Sequence, residues 1–227
     1  MRKIVITGSE GLIGSEVSSY FEGRGDEVFR LDLKLGHDLT DEKFVKEWFM
    51  ENPVNYIINL FALQHHITGE HTPTNSLFSI DLKSFDDYLR VNLTTLFSVC
   101  RQFFLMNAKG AIVNFSSHYG VVSPDSRIYN RGDEKHIGYG VSKAGVIQLT
   151  RHLATHLAPE FRVNCVIPGG VEYNQTEEFK QKYSERVPLG RMMKVNELNG
   201  LLDYLCSENS TYTTGTTFTV DGGWTAW

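Results

Sequence analysis

The sequence predicts an α/β fold, a doubly wound parallel sheet with helices on both faces, and three observations carry that prediction. Short apolar runs alternate with helical patterns along all 227 residues. The runs are continuous in Val and Ile, as in strands buried on both faces. The stretches between them are long enough for a crossover helix, which every parallel strand pair requires.

The elements follow in chain order. Lys3 to Ile6 reads as the first strand, and the run Ser15 to Phe21 behind a glycine loop continues as a helix. Val28 to Leu31 is the second strand and Tyr56 to Leu60 the next. From Phe85 to Met106 the apolar residues Phe85, Tyr88, Leu89, Leu93, Leu96 and Phe97 recur three and four apart, which predicts an amphipathic helix. Ala111 to Phe115 is again a strand, and Val141 to Leu157 a second long helix on Val146, Leu149, Leu153 and Leu157. Arg162 to Ile167 and Thr216 to Val220 close the sheet.

Composition bounds the function. With 41% hydrophobic and 22% charged residues the length suits one domain, 1–227. A formal charge of −5 offers no broad footprint for nucleic acid or anionic lipid. Cys100, Cys165 and Cys206 are odd in number and widely spaced, so no disulfide framework is expected and a reducing, cytoplasmic setting is. No apolar run nears the roughly 20 residues of a membrane helix, and no leader pattern precedes the first strand.

Directly after the first strand stand Gly8, Gly11, Leu12, Ile13 and Gly14. Glycines there permit a tight turn and let a pyrophosphate approach backbone N–H groups at a helix N-terminus. Eighteen residues beyond Gly14, at the end of the second strand, Asp32 is placed to accept hydrogen bonds from ribose hydroxyls and to repel a 2′-phosphate. Glu10 and Leu33 stand where an NADP site would favour bases, so NAD is preferred over NADP, with Arg30 and Lys34 as the opposing residues.

Further on, Tyr139 and Lys143 share one helix face at Y-x-x-x-K spacing. A nearby ammonium favours phenolate, and a tyrosine so tuned can exchange a proton with a carbinol oxygen. The strand ending at Phe115 leads into Ser116-Ser117-His118-Tyr119-Gly120, which puts hydroxyls where open α/β sheets bind ligands.

With these pieces in order, the chain resembles the short-chain dehydrogenase/reductase family in its single-domain, Rossmann-like form, from Lys3 to Gly223. The matching segments are residues 7–14, Asp32, 38–41, Val91-Asn92-Leu93, 114–117, 139–143, 163–164 with 168–169, 188–191, and 214–215 with 220–223. The resemblance implies Tyr139 as general acid/base and Lys143 as its pKa-lowering partner on the nicotinamide ribose. It implies Ser117 on the substrate oxygen and Asn92 holding a water of a proton relay. Asp38 and Leu39 would lie near the adenine, Phe61 and Ala62 against the cofactor, and Pro168, Gly169 and Val171 beside the nicotinamide.

The sequence departs from the family at Leu12, at Asn59-Leu60-Phe61-Ala62, where a second Asn is lost, and at Tyr173, where Asn174, Gln175 or Thr176 could substitute for a carboxamide-binding Thr. Ser117 and Tyr139 lie 22 residues apart, so a substrate loop at about 118–137 is longer than usual; Ser126, at the shorter spacing, is set aside because Ser117 ends a strand. This loop carries Arg127, Arg131, Lys135 and His136, which suits a polar or anionic sugar. A finer resemblance, to a subgroup linked to bacterial surface-polysaccharide and flagellin sugar modification, points the same way. The segment 170–227, with Trp224 and Trp227 at its end, is expected to serve substrate or subunit contacts. The two long helices are expected to build a homodimer or homotetramer.

The clustered His65, His66 and His71, and the pair His152 and His156, read as pocket and helix-face residues, with no metal site expected. The expected function is NAD-dependent interconversion of a secondary alcohol and a ketone on a sugar derivative. The alternatives are a nucleotide-sugar epimerase or dehydratase, for which the chain is short, and a non-catalytic dinucleotide sensor, which needs no Ser117, Tyr139 and Lys143.

Overall fold

The computed structural model describes residues 1–64, 66–67, 80–129 and 134–227. Among them, six strands form one parallel sheet: β1 (Lys3–Thr7), β2 (Glu27–Leu31), β3 (Tyr56–Asn59), β5 (Gly110–Phe115), β7 (Phe161–Pro168) and β8 (Thr217–Val220). Two short strands, β4 (His66–Ile67) and β6 (Glu134–Lys135), pair antiparallel outside it. The expected runs coincide with the six sheet strands to within two residues; Leu60 falls outside β3, and β7 extends to Phe161 and Pro168.

The helices are α1 (Leu12–Gly23), α2 (Glu42–Glu51), α3 (Leu82–Leu89), α4 (Thr95–Met106), α5 (Ile137–Leu157), α6 (Glu177–Arg186) and α7 (Asn199–Leu205). They cover both faces of the sheet. On one, Val5, Ile57, Ile112 and Val163 meet Val45 and Phe49 of α2, Val99 and Phe103 of α4, and Val146 of α5. On the other, Ile4, Ile6, Ile58 and Val113 meet Val17 and Phe21 of α1 and Leu202 and Leu205 of α7. Each fully buried aliphatic side chain contributes about 2 kcal/mol. Net stability is only about 10 kcal/mol, so no central strand is dispensable.

Strand order β2-β1-β3-β5-β7-β8 fixes the place of a ligand. The chain runs from β1 outward to β2, then crosses back to β3 on the opposite side of β1. The carboxyl ends of β1 and β3 therefore flank the point where the winding reverses, the crevice in which open α/β sheets bind ligands. The register brings the strand ends level, with Thr7 opposite both Leu31 and Asn59, and Asn59 opposite Asn114.

The helix expected from Phe85 to Met106 is continuous but not uniform. Between α3 and α4 the residues Arg90–Thr94 make a π turn, with Asn92 buried inside it. The second long helix starts earlier than expected, at Ile137, so that Tyr139 lies in its first turn behind the N-cap His136. The C-terminal segment packs inward at Trp224, which is buried against Tyr183 with ring centroids 4.5 Å apart, while Trp227 is exposed. No helix of the described residues is long and apolar enough to cross a membrane.

Candidate active site

The glycine loop is built by the chain's own geometry before any ligand is considered. Gly8 has φ +70°, and a Cβ there would stand 2.5 Å from the Phe61 backbone nitrogen; one on Gly14 would stand 2.1 Å from the Gly8 carbonyl oxygen. Gly11 differs: it is exposed, and a Cβ would meet only the Gly8 carbonyl, at 3.2 Å. It is the N-cap of α1, with no side-chain cap and no acid in the first turn, whereas α2, α3 and α6 are capped by Asp41, Asp81 and Thr176. The open N–H groups and the missing Cβ at Gly11 fit an anionic dinucleotide lying over α1.

Asp32 sits at the end of β2, where its carboxylate accepts from Lys34 N at 2.8 Å and from Glu10 N at 3.0 Å. The bases beside it are occupied: Arg30 pairs with Glu22 and Glu10, and Lys34 Nζ donates to the Glu10 carbonyl. Asp38 is exposed but binds Thr40 N and Oγ1, and Leu39 is buried in the core near Leu31 and Val45. Phe61 and Ala62 follow β3 half-buried, Pro168 and Gly169 are buried at the end of β7, and Val171 bridges to Met193. Leu12 and Ile13 belong to the first turn of α1, with Leu12 exposed.

The lost second Asn is absorbed by packing. Leu60 packs partly buried against the core of one sheet face. Asn59 donates to Asn114 Oδ1 at 3.0 Å and accepts from Thr7 Oγ1, and Asn114 donates to Thr150 Oγ1 at 3.1 Å. This buried chain of hydrogen bonds crosses β1, β3, β5 and α5 just below the strand ends.

At those ends Ser117, Tyr139 and Lys143 come together. Ser117 is buried and accepts from Tyr119 N at 3.1 Å. Gly120 is required because a Cβ there would lie 2.8 Å from the Lys143 carbonyl carbon. Lys143 Nζ is buried and donates to the Phe115 carbonyl at 2.8 Å, which ties α5 to β5. Burial without a carboxylate lowers the Lys143 pKa to about 8. Its Nζ lies 5.9 Å from the Tyr139 ring centroid. Burial raises the Tyr139 phenol above its ordinary value, and a hydrogen bond with Ser117 opposes that rise. The depression expected from the lysine spacing is therefore not present in the protein by itself, where desolvation prevails.

Asn92 acts as a clamp. Its Oδ1 accepts from Leu63 N at 2.7 Å, and its Nδ2 donates to the Leu63 carbonyl and to Ser142 Oγ, each at 3.0 Å. These bonds lock the segment after β3 to α5. His118 spans the other side, with Nδ1 donating to the Pro168 carbonyl at 3.2 Å; burial lowers its pKa to about 4, so the ring is neutral, and its buried Nε2 has no partner among the described residues.

The long loop rearranges the expected basic patch. Arg127 is exposed and turned onto Asp125, which also pairs with Arg186. His136 caps α5 through Gly138 N and meets Ser84 Oγ at 3.1 Å. Lys135 alone of the patch's described residues reaches the site, with Nζ 4.1 Å from the Tyr139 ring centroid. Arg131, His65 and His71 lie outside the described residues, as does the His66 side chain. Tyr173 is exposed, while Gln175 and Thr176 are engaged with Val171 and Phe179, the first also with Tyr173 N. His152 and His156 stack on α5, and among the described residues no group of three His, Cys, Asp or Glu is arranged to hold a metal. Sequence reasoning missed the clamp on Leu63 and the seat of Lys135, because both depend on segments distant in the chain.

Comparison with known proteins agrees with this geometry. A family model described as Enoyl-(Acyl carrier protein) reductase matches residues 25–225. The chain is 29% identical over 230 residues to the 3-oxoacyl-[acyl-carrier-protein] reductase FabG of Aquifex aeolicus, covering 97% of this chain and 86% of that one. It is 30% identical to an uncharacterized short-chain type dehydrogenase/reductase, y4vI, of Sinorhizobium fredii, over 98% of this chain and 43% of that longer protein. A solved short chain dehydrogenase from Leptospira borgpetersenii, with bound NAD+, superposes with a TM-score of 0.86 at 31% identity, covering 99% of this chain and 92% of that one.

Proposed function

The chain belongs to the short-chain dehydrogenase/reductase family, oxidoreductases of CH–OH groups, and from that premise we propose an NAD-dependent enzyme that interconverts a secondary alcohol and a ketone on a sugar derivative. The observation that carries the reading is the convergence of Ser117, Tyr139 and Lys143 beside the carboxyl ends of β5 and β7.

The bound nicotinamide supplies the hydride acceptor or donor. Gly8, Gly11, Leu12, Ile13 and Gly14 hold the pyrophosphate over α1, and Asp32 takes the adenosine ribose hydroxyls with its remaining lone pairs. Asp38 and Leu39 border the adenine, the latter through its backbone because its side chain faces the core. Phe61, Ala62, Pro168, Gly169 and Val171 line the nicotinamide half. Ser117 Oγ donates to the substrate oxygen, and Tyr139 Oη gives that oxygen a proton in reduction or removes it in oxidation. Lys143 holds the ribose with its remaining N–H donors and offers positive charge to the phenolate as it forms. Asn92 fixes the mount of Tyr139 through Ser142, which donates to the Tyr139 carbonyl. With both Nδ2 hydrogens on Leu63 and Ser142, Asn92 keeps the second lone pair of Oδ1 for the relay water implied by resemblance.

NAD is favoured because Asp32 stands at the end of β2 and the neighbouring Arg30 and Lys34 are already engaged. The 118–137 loop and the segment 170–227 hold the substrate on this one domain. Phe97 and Leu105 of α4, with Ile137 and Val141 of α5, are exposed apolar residues suited to a homodimer or homotetramer contact. Three free, buried cysteines suit a cytoplasmic setting. The acyl-carrier-protein reductase relative supports a second reading, reduction of a 3-oxoacyl thioester. Titration with NADH and NADPH, then turnover on sugar alcohols, oxo sugars and an acetoacetyl thioester, tests both. Tighter NADPH binding would refute the cofactor reading, and turnover of the thioester alone would refute the sugar reading.

A further inference from the structure

Lys135 occupies a place that neither the fold nor the hydride chemistry requires. It stands on β6, whose antiparallel partner β4 follows β3 in the chain, and its Nζ donates to the Gln64 carbonyl at 2.7 Å. That bond and the ribbon hold the ammonium over the Tyr139 ring, closer to its centroid than Lys143 is. An ammonium has three donors, so two remain after Gln64. Among the described residues no carboxylate lies within ion-pair reach of Lys135 or Lys143, although most other bases of the chain are paired. Two like charges beside one phenol repel each other, and burial adds to the cost; the Lys135 pKa falls to about 8, first through burial and then through Lys143. An ammonium of that kind is still largely protonated at neutral pH and lacks a counter-ion. Arg127, the other described base of the loop that could have taken this part, is spent on Asp125.

We propose that Lys135 is the substrate-anion receptor of the active site, pairing with a carboxylate or phosphate carried by the substrate close to the carbon that reacts at Tyr139. The inference rests on the reading of Tyr139 as the reacting centre. An anion there meets two cations in a partly desolvated site, where a charge-assisted hydrogen bond is strongest. The same chemistry could come from a phosphate of the dinucleotide, and the test separates the two sources.

The full chain is pulse-acetylated with trace acetic anhydride near neutral pH, and peptide mass spectrometry reads the modified fraction of Lys135. Samples contain no ligand, NAD+ alone, or NAD+ with glucose, glucuronate, glucose 6-phosphate or inorganic phosphate. Modification is expected to fall at least about fivefold with glucuronate or a phosphate probe and to be unchanged by glucose. Protection by NAD+ alone, equal protection by glucose, or no protection by any anion overturns the proposal. On a sugar substrate that turns over, Lys135→Met is expected to lower the ratio of kcat/KM for the anionic over the neutral congener by roughly ten- to a hundredfold, with Lys135→Arg retaining it. An unchanged ratio also overturns the proposal. Protection by the anions in a chain that turns over no CH–OH substrate would leave the receptor standing and refute the catalytic reading instead.

Discussion

Replacing Lys143 by Met is expected to abolish catalysis and yet make the protein more stable at neutral pH. The ammonium is buried, and its pKa falls from 10.5 to about 8. A depression of that size corresponds to about 3 kcal/mol of cost when the group is charged in the folded state. Against it stands the hydrogen bond to the Phe115 carbonyl, whose loss costs about 1–2 kcal/mol. The balance is a gain of about 1–2 kcal/mol for the variant at pH 7. Below about pH 8 both folded and unfolded wild type carry the proton, and the full cost is present. Between there and 10.5 the folded state sheds the proton while the unfolded state keeps it, so wild-type stability rises with pH. The advantage of Lys143→Met should therefore shrink by about 2 kcal/mol between pH 7 and about pH 10. Urea unfolding of the cofactor-free protein measures it, in a Lys135→Met background so that the coupled second lysine does not contribute. A variant less stable at pH 7, with no convergence on wild type at high pH, would mean that the buried charge does not carry this cost. A residue that costs stability in this way is retained for what it does to a ligand.

Other outcomes follow from the same geometry. Asp32→Ser keeps an acceptor for Lys34 N but removes the anion, so the affinity ratio of NADPH to NADH should rise at least about tenfold by calorimetric titration. An unchanged ratio would remove Asp32 from cofactor discrimination. Asn114→Ala leaves Asn59 and Thr150 without their buried partner and should destabilise the fold by about 2–3 kcal/mol in urea unfolding, whereas a loss under 0.5 kcal/mol would mean the network carries nothing.

What was legible in the sequence follows from what each residue touches. The sheet strands could be read because Ile4 to Ile6, Ile57, Ile58, Ile112 and Val113 are buried on both faces and leave continuous apolar runs. Helix α6 was not, since Glu177–Arg186 is nearly all polar, and Phe179 and Tyr183 are its apolar residues packed with Trp224 and its neighbours. The π turn at Asn92 is silent because a single i→i+5 turn inside a helix carries no residue type that marks it. Ser117, Tyr139 and Lys143 were legible as motifs. The seat of Lys135 was not, because it depends on a two-residue ribbon joining segments far apart in the chain. The expected charge patch at the loop shrank for a local reason, as Asp125 two residues before Arg127 captures it.

Tyr139 is proposed to move the proton while the surrounding frame binds the cofactor. Tyr139→Phe removes one hydroxyl from a buried ring and leaves the glycine loop, Asp32 and Lys143 in place. On any substrate that turns over, kcat should fall by about a hundredfold or more while the dissociation constant for NADH changes less than about threefold. Turnover within a few fold of wild type, at unchanged NADH affinity, would mean that another group moves the proton.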